Sequence, residues 1–332
     1  MKIYVLTFLR TVLGERRYYN FLEIFCNKYL AKIKLNKYYQ NNQPRALNQE
    51  KYIICMVDGK MHHGGLSDRL RGFVSIYAYC KKHNYQFKIF FRYPFRLEDY
   101  LVPNTYNWQI SEADISYNSI DSKAVVLLSA DRENEQIIQE KLAEKLLKQD
   151  YKQIHIYTNT DYAGANFTLL FHELFKPSVE LQKQIDNILA LINAKYIAIA
   201  FRFQSLLGDF KDEANLPSLT GKDRELLIAE CLEAIKQIDR TDTNHSKIVV
   251  TSDSKTFINR AQTIDNVFII PGNIIHIDYN TNDNGNMKTF WDLYVLSFAE
   301  KIYQVKNNTM FKSGFAKRAA SINAVPYEEY LF

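Results

Sequence analysis

The chain has 332 residues, with 42 Lys+Arg against 37 Asp+Glu, a formal charge of +5 with histidines neutral. Apolar residues make up 47% and charged residues 24%, the balance of a globular protein, which excludes a disordered, collagenous or coiled-coil chain. A single hydrophobic core stops growing at roughly 250 to 300 residues, so two domains are expected.

The charge is unevenly placed. Residues 1 to 40 hold Lys2, Arg10, Arg16, Arg17, Lys28, Lys32, Lys34 and Lys37 against Glu15 and Glu23, a local +6 that leaves −1 for the rest. A nucleic-acid binder spreads a basic stripe over its folded body and has a pI above about 9. Here the sequence pI is near 8.7 and the excess sits at one end, so nucleic acid is not an expected partner. Cys26, Cys55, Cys80 and Cys231 are far apart, with no C-x-x-C pair and no secretory leader, and read as buried free thiols of a cytoplasmic protein. No apolar run reaches the roughly 18 to 20 residues that cross a bilayer. Ile3 to Leu35 instead mixes Leu, Phe, Tyr and Ile with Arg and Lys, as a helix lying on an anionic membrane surface does, or as an ordinary helix packed on a domain does.

Along the chain, the continuous apolar run Tyr52 to Val57 predicts a buried strand, Asp58 to Leu66 a loop, and Ser67 to His83 a helix. Strands are expected at Phe87 to Phe91, Ala124 to Leu128 and Ile154 to Tyr157, with a charged helix over Asn134 to Lys148. Phe175-Lys176-Pro177-Ser178 breaks the pattern, because proline suits the first turn of a helix and restricts the residue before it. A long helix, Val179 to Ile192, is expected to start there. The alternation then resumes with strand Tyr196 to Phe203, helix Arg224 to Ile238, strand Lys247 to Ser252, helix Lys255 to Ala261 and strand Val267 to Ile270. A polar loop is expected at Asn280 to Asn286, followed by helix Lys288 to Ala299, strand Ile302 to Val305 and helix Gly314 to Ile322. This is α/β alternation in two halves, 41–176 and 177–332, hinged near 176–192 and preceded by the basic segment 1–40. Parallel sheets bind ligands at the carboxyl ends of their strands, so the loops there are the places to search.

Five groups stand out. His62-His63-Gly64-Gly65-Leu66-Ser67-Asp68-Arg69 is a glycine turn between strand and helix, able to bring backbone N–H groups close to an anion or simply to cap the helix. It is neither a dinucleotide fingerprint nor a P-loop. Arg202 lies at the end of the apolar strand Tyr196 to Phe203 and needs an anion, either a ligand phosphate or a structural carboxylate; Asp209, Asp212 and Glu213 follow in the next loop. Thr251-Ser252-Asp253 closes a strand with hydroxyls and a carboxylate, which a helix cap also explains. Asp292 lies on a helix, and Ser313-Gly314 opens another whose hydroxyl and N–H groups can hold a phosphate. His276 and Asp278 form the fifth group, which a surface loop also explains. No metal-ligand spacing, nucleophile elbow or Cys-His arrangement is present.

In this order, the segments resemble the fucosyltransferase superfamily that includes the α1,6- and α1,2-fucosyltransferases and the protein O-fucosyltransferases, most of all its α1,6 and bacterial nodulation-factor branch. The family's G-G-[LF]-G-[DN]-[RQ] loop is matched by Gly64, Gly65, Leu66, Asp68 and Arg69, with Ser67 in place of the third glycine. Its H-x-R strand falls on Ala200-Phe201-Arg202, its T-D-D on Thr251-Ser252-Asp253, and its D-x-x-x-L-S-x-A helix with a following serine turn on Asp292, Leu296, Ser297, Ala299 and Ser313. The family histidine is Ala200 here, and a second arginine is Phe203.

The resemblance implies a GT-B-like fold of two Rossmann-like parallel-sheet domains facing across a cleft, with the donor mainly on the C-terminal half. It implies an inverting transfer of L-fucose from GDP-β-L-fucose, with no cofactor and no required metal. Carried over by position, Arg202 and Ser313 with Gly314 hold the diphosphate, Asp292 reads guanine, Asp253 supports the site, and Gly64 and Gly65 complete the donor set. No family base maps onto the chain; Asp209 and Glu213, with His63 behind them, are the groups expected to take the acceptor proton. The expected acceptor is a cell-surface glycan such as lipopolysaccharide or capsule, reached at the inner face of the cytoplasmic membrane through the basic segment. The alternatives are a transferase for another nucleotide sugar, a degenerate glycan-binding protein, and an α/β nucleotide binder of unrelated chemistry.

Overall fold

The computed structural model describes residues 31–47, 50–61, 63–127, 150–159, 161, 166–209, 218–244, 247–272 and 283–332. The predicted helix over 134–148, Cys26, His62, His276 and Asp278 lie outside them. In chain order the elements are α1 (Ala31–Asn36), β1 (Tyr52–Val57), α2 (Leu66–Lys82), β2 (Gln86–Phe91), β3 (Leu101–Pro103), β4 (Ser122–Leu127), β5 (Gln153–Thr158), α3 (Phe167–Leu174), β6 (Phe175–Pro177) and α4 (Val179–Ile192). There follow β7 (Tyr196–Phe201), α5 (Gly221–Thr241), β8 (Lys247–Ser252), α6 (Lys255–Ala261), β9 (Val267–Ile269), α7 (Asp283–Ser297), β10 (Ile302–Lys306), α8 (Phe315–Asn323) and β11 (Tyr327–Leu331). They form two compact units. The first takes the described residues within Met1–Gly64, Asp68–Arg96 and Thr105–Asn166; the second takes Gly65–Ser67, Leu97–Asn104 and those within Phe167–Phe332.

The first unit is built on a four-stranded parallel sheet in the order β2-β1-β5-β4. Every residue of β1 and β5 is buried, as central parallel strands covered on both faces require. One core gathers Tyr52, Ile54 and Met56, which alternate onto the same face of β1, with Phe90, Tyr157 and Leu35 of α1. The end of the basic segment is therefore part of this unit, with Leu35 only 2% exposed. Arg45 ties the following stretch to Asp121 by two bonds, Nε to Oδ2 at 2.6 Å and Nη2 to Oδ1 at 2.7 Å, and Asn118 Nδ2 donates to the carbonyls of Asn41 and Gln43. On the other side, α2 approaches β5 so closely that a Cβ on Gly72 would stand 2.7 Å from the Thr158 carbonyl oxygen.

The second unit holds a five-stranded parallel sheet in the order β11-β10-β7-β8-β9. Its core packs Ile197, Ile199 and Phe201 from β7 against Ile228 and Ile235 of α5 and Phe257 of α6. Helix α4 starts where Pro177 predicted: Ser178 caps it, its hydroxyl accepting from the Leu181 N–H at 3.3 Å. Three features depart from the expected pattern. Phe167–Leu174 is a helix rather than part of a connection, and Leu101–Pro103 pairs antiparallel with Phe175–Pro177. The expected polar loop Asn280 to Asn286 already contains the first turn of α7 from Asp283 onward, because its Asn and Asp residues suit a helix start as well as a loop. Cys55, Cys80 and Cys231 are buried and free, and burial raises each thiol above its ordinary range.

Candidate functional site

Strand order locates the site of the second unit. From β7 the chain steps outward to β8 and β9, then returns to the other side of β7 for β10 and β11. The connections after β7 and β10 thus diverge, and the crevice at the carboxyl ends of two such strands is where open α/β sheets take ligands. Arg202 follows β7 at this point, and Ser313 with Gly314 lies in the connection between β10 and α8.

Asp253, directly after β8, organises the β7 turn. Its Oδ1 accepts from the Phe203 N–H at 2.8 Å and its Oδ2 from the Gln204 N–H at 2.7 Å, while Arg202 Nη1 stands 3.1 Å from Oδ2. The grip holds Gln204 at φ 52°, a left-handed conformation costly for a residue with a Cβ. Burial pushes the Asp253 carboxyl above its usual range, opposed by Arg202 and the two N–H groups. The anion that Arg202 needs is therefore a carboxylate on the neighbouring strand, and this pairing fixes the direction of a guanidinium that carries five N–H donors in all. Asp209 sits at the start of α6, where its Oδ2 accepts from the Ser254 hydroxyl at 2.9 Å and the Thr256 N–H at 2.6 Å.

At the start of α8, Ser313 Oγ accepts from the Phe315 N–H at 3.2 Å, and nothing lies within 4 Å of where a Gly314 Cβ would stand. An open helix N-terminus with a hydroxyl beside it is suited to an anion. Asp292, one helix away in sequence, accepts from Lys288 Nζ through Oδ1 at 2.5 Å. Burial raises its carboxyl against the opposing charge of Lys288.

In the first unit, Gly64 adopts φ 77°, and Arg69 Nε donates to its carbonyl at 2.9 Å while Nη1 donates to the Tyr93 carbonyl at 3.2 Å. Arg69 thus buckles the glycine turn, which Gly65 carries on into α2. His63 is 2% exposed and stacked on Tyr157 at 5.7 Å. The carboxyl end of β1 carries a polar cluster that the sequence reading did not single out. Asp58 Oδ2 accepts from Tyr117 OH at 2.7 Å, Tyr157 OH at 3.0 Å and Lys60 Nζ at 3.0 Å. Burial acts to raise the Asp58 carboxyl, but Lys60 and the Tyr117 bond outweigh it and hold it below its usual range. Tyr39 Oη links the cluster to His155 Nδ1 at 2.7 Å and Tyr157 Oη at 3.2 Å. Asp58 was visible as the residue ending a buried strand; its partners come from distant segments that no local pattern connects.

No family model and no curated protein matches the sequence. Solved structures do match. NodZ α-1,6-fucosyltransferase, in a crystal soaked with GDP-fucose, aligns with a TM-score of 0.56 over 85% of this chain and 95% of that one, at 15% identity. Selenomethionine fucosyltransferase NodZ from Bradyrhizobium gives 0.54 over 82% and 92% at 14% identity. POFUT1 in complex with GDP gives 0.50 over 86% and 99% at 11% identity. The chain has the GT-B-like α/β fold of these fucosyltransferases.

Within this GT-B-like fold, the second unit brings Arg202, Asp253 and Asp209 together at the carboxyl ends of β7 and β8, with Ser313 and Gly314 across the divergence of β7 and β10. His63 and Gly64 belong to the first unit, and Gly65 belongs to the second. Glu213 lies outside the described residues. Among the described residues, no group of three or more His, Cys, Asp or Glu side chains could hold a metal ion.

Proposed function

We propose that the chain is an inverting glycosyltransferase that moves L-fucose from GDP-β-L-fucose to a glycan acceptor of the cell surface, without a required metal. The observation that carries the reading is the placement of Arg202 and the Ser313-Gly314 turn on either side of the divergence between β7 and β10. In this reading the guanidinium and the N–H groups opening α8 neutralise the diphosphate as the sugar C1–O bond breaks and its electron pair leaves on GDP. The acceptor hydroxyl forms the new bond to C1 from the opposite face, which inverts the centre. Its proton passes to Asp209, whose Oδ2 is anchored by the start of α6 while Oδ1 has no hydrogen-bond partner among the described residues. Asp292 accepts from guanine N–H groups. Glu213, outside the described residues, is the other candidate for that proton, with His63, stacked on Tyr157, behind the two carboxylates. The domain assignment that goes with this reading is an acceptor-side half over 41–176 and a donor half over 177–332, with the basic segment 1–40, whose residues 1–30 lie outside the described residues, contacting an anionic membrane surface.

The test is calorimetry, with no metal added, of GDP, GDP-fucose, GDP-mannose and UDP against wild type, Arg202→Ala, Asp292→Ala and Gly314→Ala. GDP and GDP-fucose are expected to bind in preference to UDP, with each substitution weakening them roughly tenfold or more, as loss of a charged hydrogen bond or an obstructed phosphate contact does. Equal binding of UDP, or no binding of GDP, overturns the reading. Asp209→Asn is expected to abolish turnover while sparing GDP affinity.

A further inference from the structure

We propose that Lys288 determines base specificity, donating to guanine O6 beside the Asp292 carboxylate so that the two side chains read the base as a pair. The inference rests on the donor reading above and concerns a residue which that reading leaves unused. Lys288 and Asp292 are four apart on α7 and so share one face of the helix. An exposed pair of this kind is commonplace, but this one is not exposed: the Lys288 side chain is 7% accessible and that of Asp292 18%. The lysine stem lies under the chain after β9, where a Cβ on Gly272 would come 3.0 Å from Lys288 Cδ, and where Gly272 itself takes φ 112°. A backbone glycine is thus spent on covering a lysine. Burying both charges is costly compared with an apolar pair of similar size, which a merely structural contact would not require.

The chemistry of the edge explains the arrangement. Lysine has three N–H donors, and the contact with Asp292 Oδ1 uses one of them. Among the described residues, Lys288 has no other acceptor, and Asp292 Oδ2 has no donor. Guanine presents O6, N1–H and the N2 amino group in a row: acceptor, donor, donor. If N1–H meets Oδ1 and the N2 amino group meets Oδ2, O6 falls on the side of Oδ1 where Lys288 Nζ stands. Adenine reverses the first two positions, setting its amino group against the ammonium and its bare N1 against the carboxylate. Uracil matches the first two but turns O2 toward Oδ2. The pair therefore favours one base and repels the others, and a site built to hydrogen-bond discriminates most strongly when its buried groups are left unmatched.

The experiment compares GDP with 6-thio-GDP, in which a poor acceptor replaces O6 while both N–H groups remain, and with IDP, which lacks the N2 amino group. Wild type is expected to prefer GDP over 6-thio-GDP roughly tenfold or more, the size of one hydrogen bond to a charged group. In Lys288→Met that preference falls below about twofold, while the preference of GDP over IDP, which Asp292 supplies, is retained. Lys288→Gln serves as a second variant should the methionine protein not fold. A Lys288→Met or Lys288→Gln protein that keeps the full preference for O6 overturns the proposal, since Lys288 then only orients Asp292. So does a wild type that binds GDP without distinguishing 6-thio-GDP. A wild type that binds no GDP instead removes the donor reading itself, and this inference with it.

Discussion

Asp253 makes three contacts with two oxygens: two backbone N–H groups and a guanidinium. Asparagine cannot replace it, because its amide has one acceptor oxygen and would turn an NH2 toward an N–H, leaving Arg202 without its counter-charge. Asp253→Asn is expected to cost about 3 to 5 kcal/mol, as breaking one side of a buried pair does, and the loss is measured by urea unfolding. A loss below about 1 kcal/mol would contradict the three-way grip. The sequence marks Arg202 because an arginine ending an apolar strand must find an anion, a ligand phosphate or a structural carboxylate, but it does not say which carboxylate. The partner directly follows the next strand because parallel pairing sets Phe201 beside Ser252, and parallel neighbours are joined by a long crossover, here one containing α5. Lys288 was legible as the residue four before Asp292, but its burial depends on Gly272, which no helical period reveals.

Elements with a strong period were read closely: Tyr52–Val57, Val179–Ile192, Lys247–Ser252 and Lys255–Ala261 stand where the apolar pattern and the Ser178 and Ser254 caps place them. Phe167–Leu174 was not read because eight residues, mostly apolar, suit a short strand as well as a helix. Tyr327–Leu331 was not read because its two central glutamates are exposed, so that strand at the sheet edge lacks a buried face. Helix α2 shows what close packing adds beyond pattern. Alanine is the better helix former by about 1 kcal/mol, so Gly72→Ala would stabilise an isolated helix. Here the new Cβ would meet backbone, 2.7 Å from the Thr158 oxygen and 3.1 Å from its carbon. Forcing such an overlap costs about 1 to 3 kcal/mol or more, which outweighs the gain. Gly72→Ala is therefore expected to lower stability by up to roughly 2 kcal/mol in chemical denaturation. Stabilisation would mean that α2 rides farther from β5.

For the molecule as a whole, the buried polar cluster of the first unit makes stability depend on pH. His155 is fully buried, and burial pushes its pKa down from the ordinary 6.5 to about 3. The native state therefore refuses a proton that the unfolded chain accepts, so the contribution of this group is complete above about pH 6.5 and is lost as pH falls toward 3. The slope from one such group is at most about 1.4 kcal/mol per pH unit. Stability measured by urea unfolding between pH 7 and pH 4 should fall along this slope, and His155→Gln should flatten it. An unchanged slope in the variant would place the acid sensitivity elsewhere.

The short excursion Leu97–Asn104 makes the two units inseparable as cassettes. It leaves the first unit to supply the second with β3, which pairs with β6, and with Tyr100, stacked on Phe290 at 4.6 Å; the chain then returns to finish the first. A chimaera joined by a single crossover at 166/167 would inherit a second unit stripped of a strand and an aromatic stack. Exchange of first units between proteins of this fold, in the laboratory or by recombination, must therefore leave residues 97–104 with the second unit that they serve.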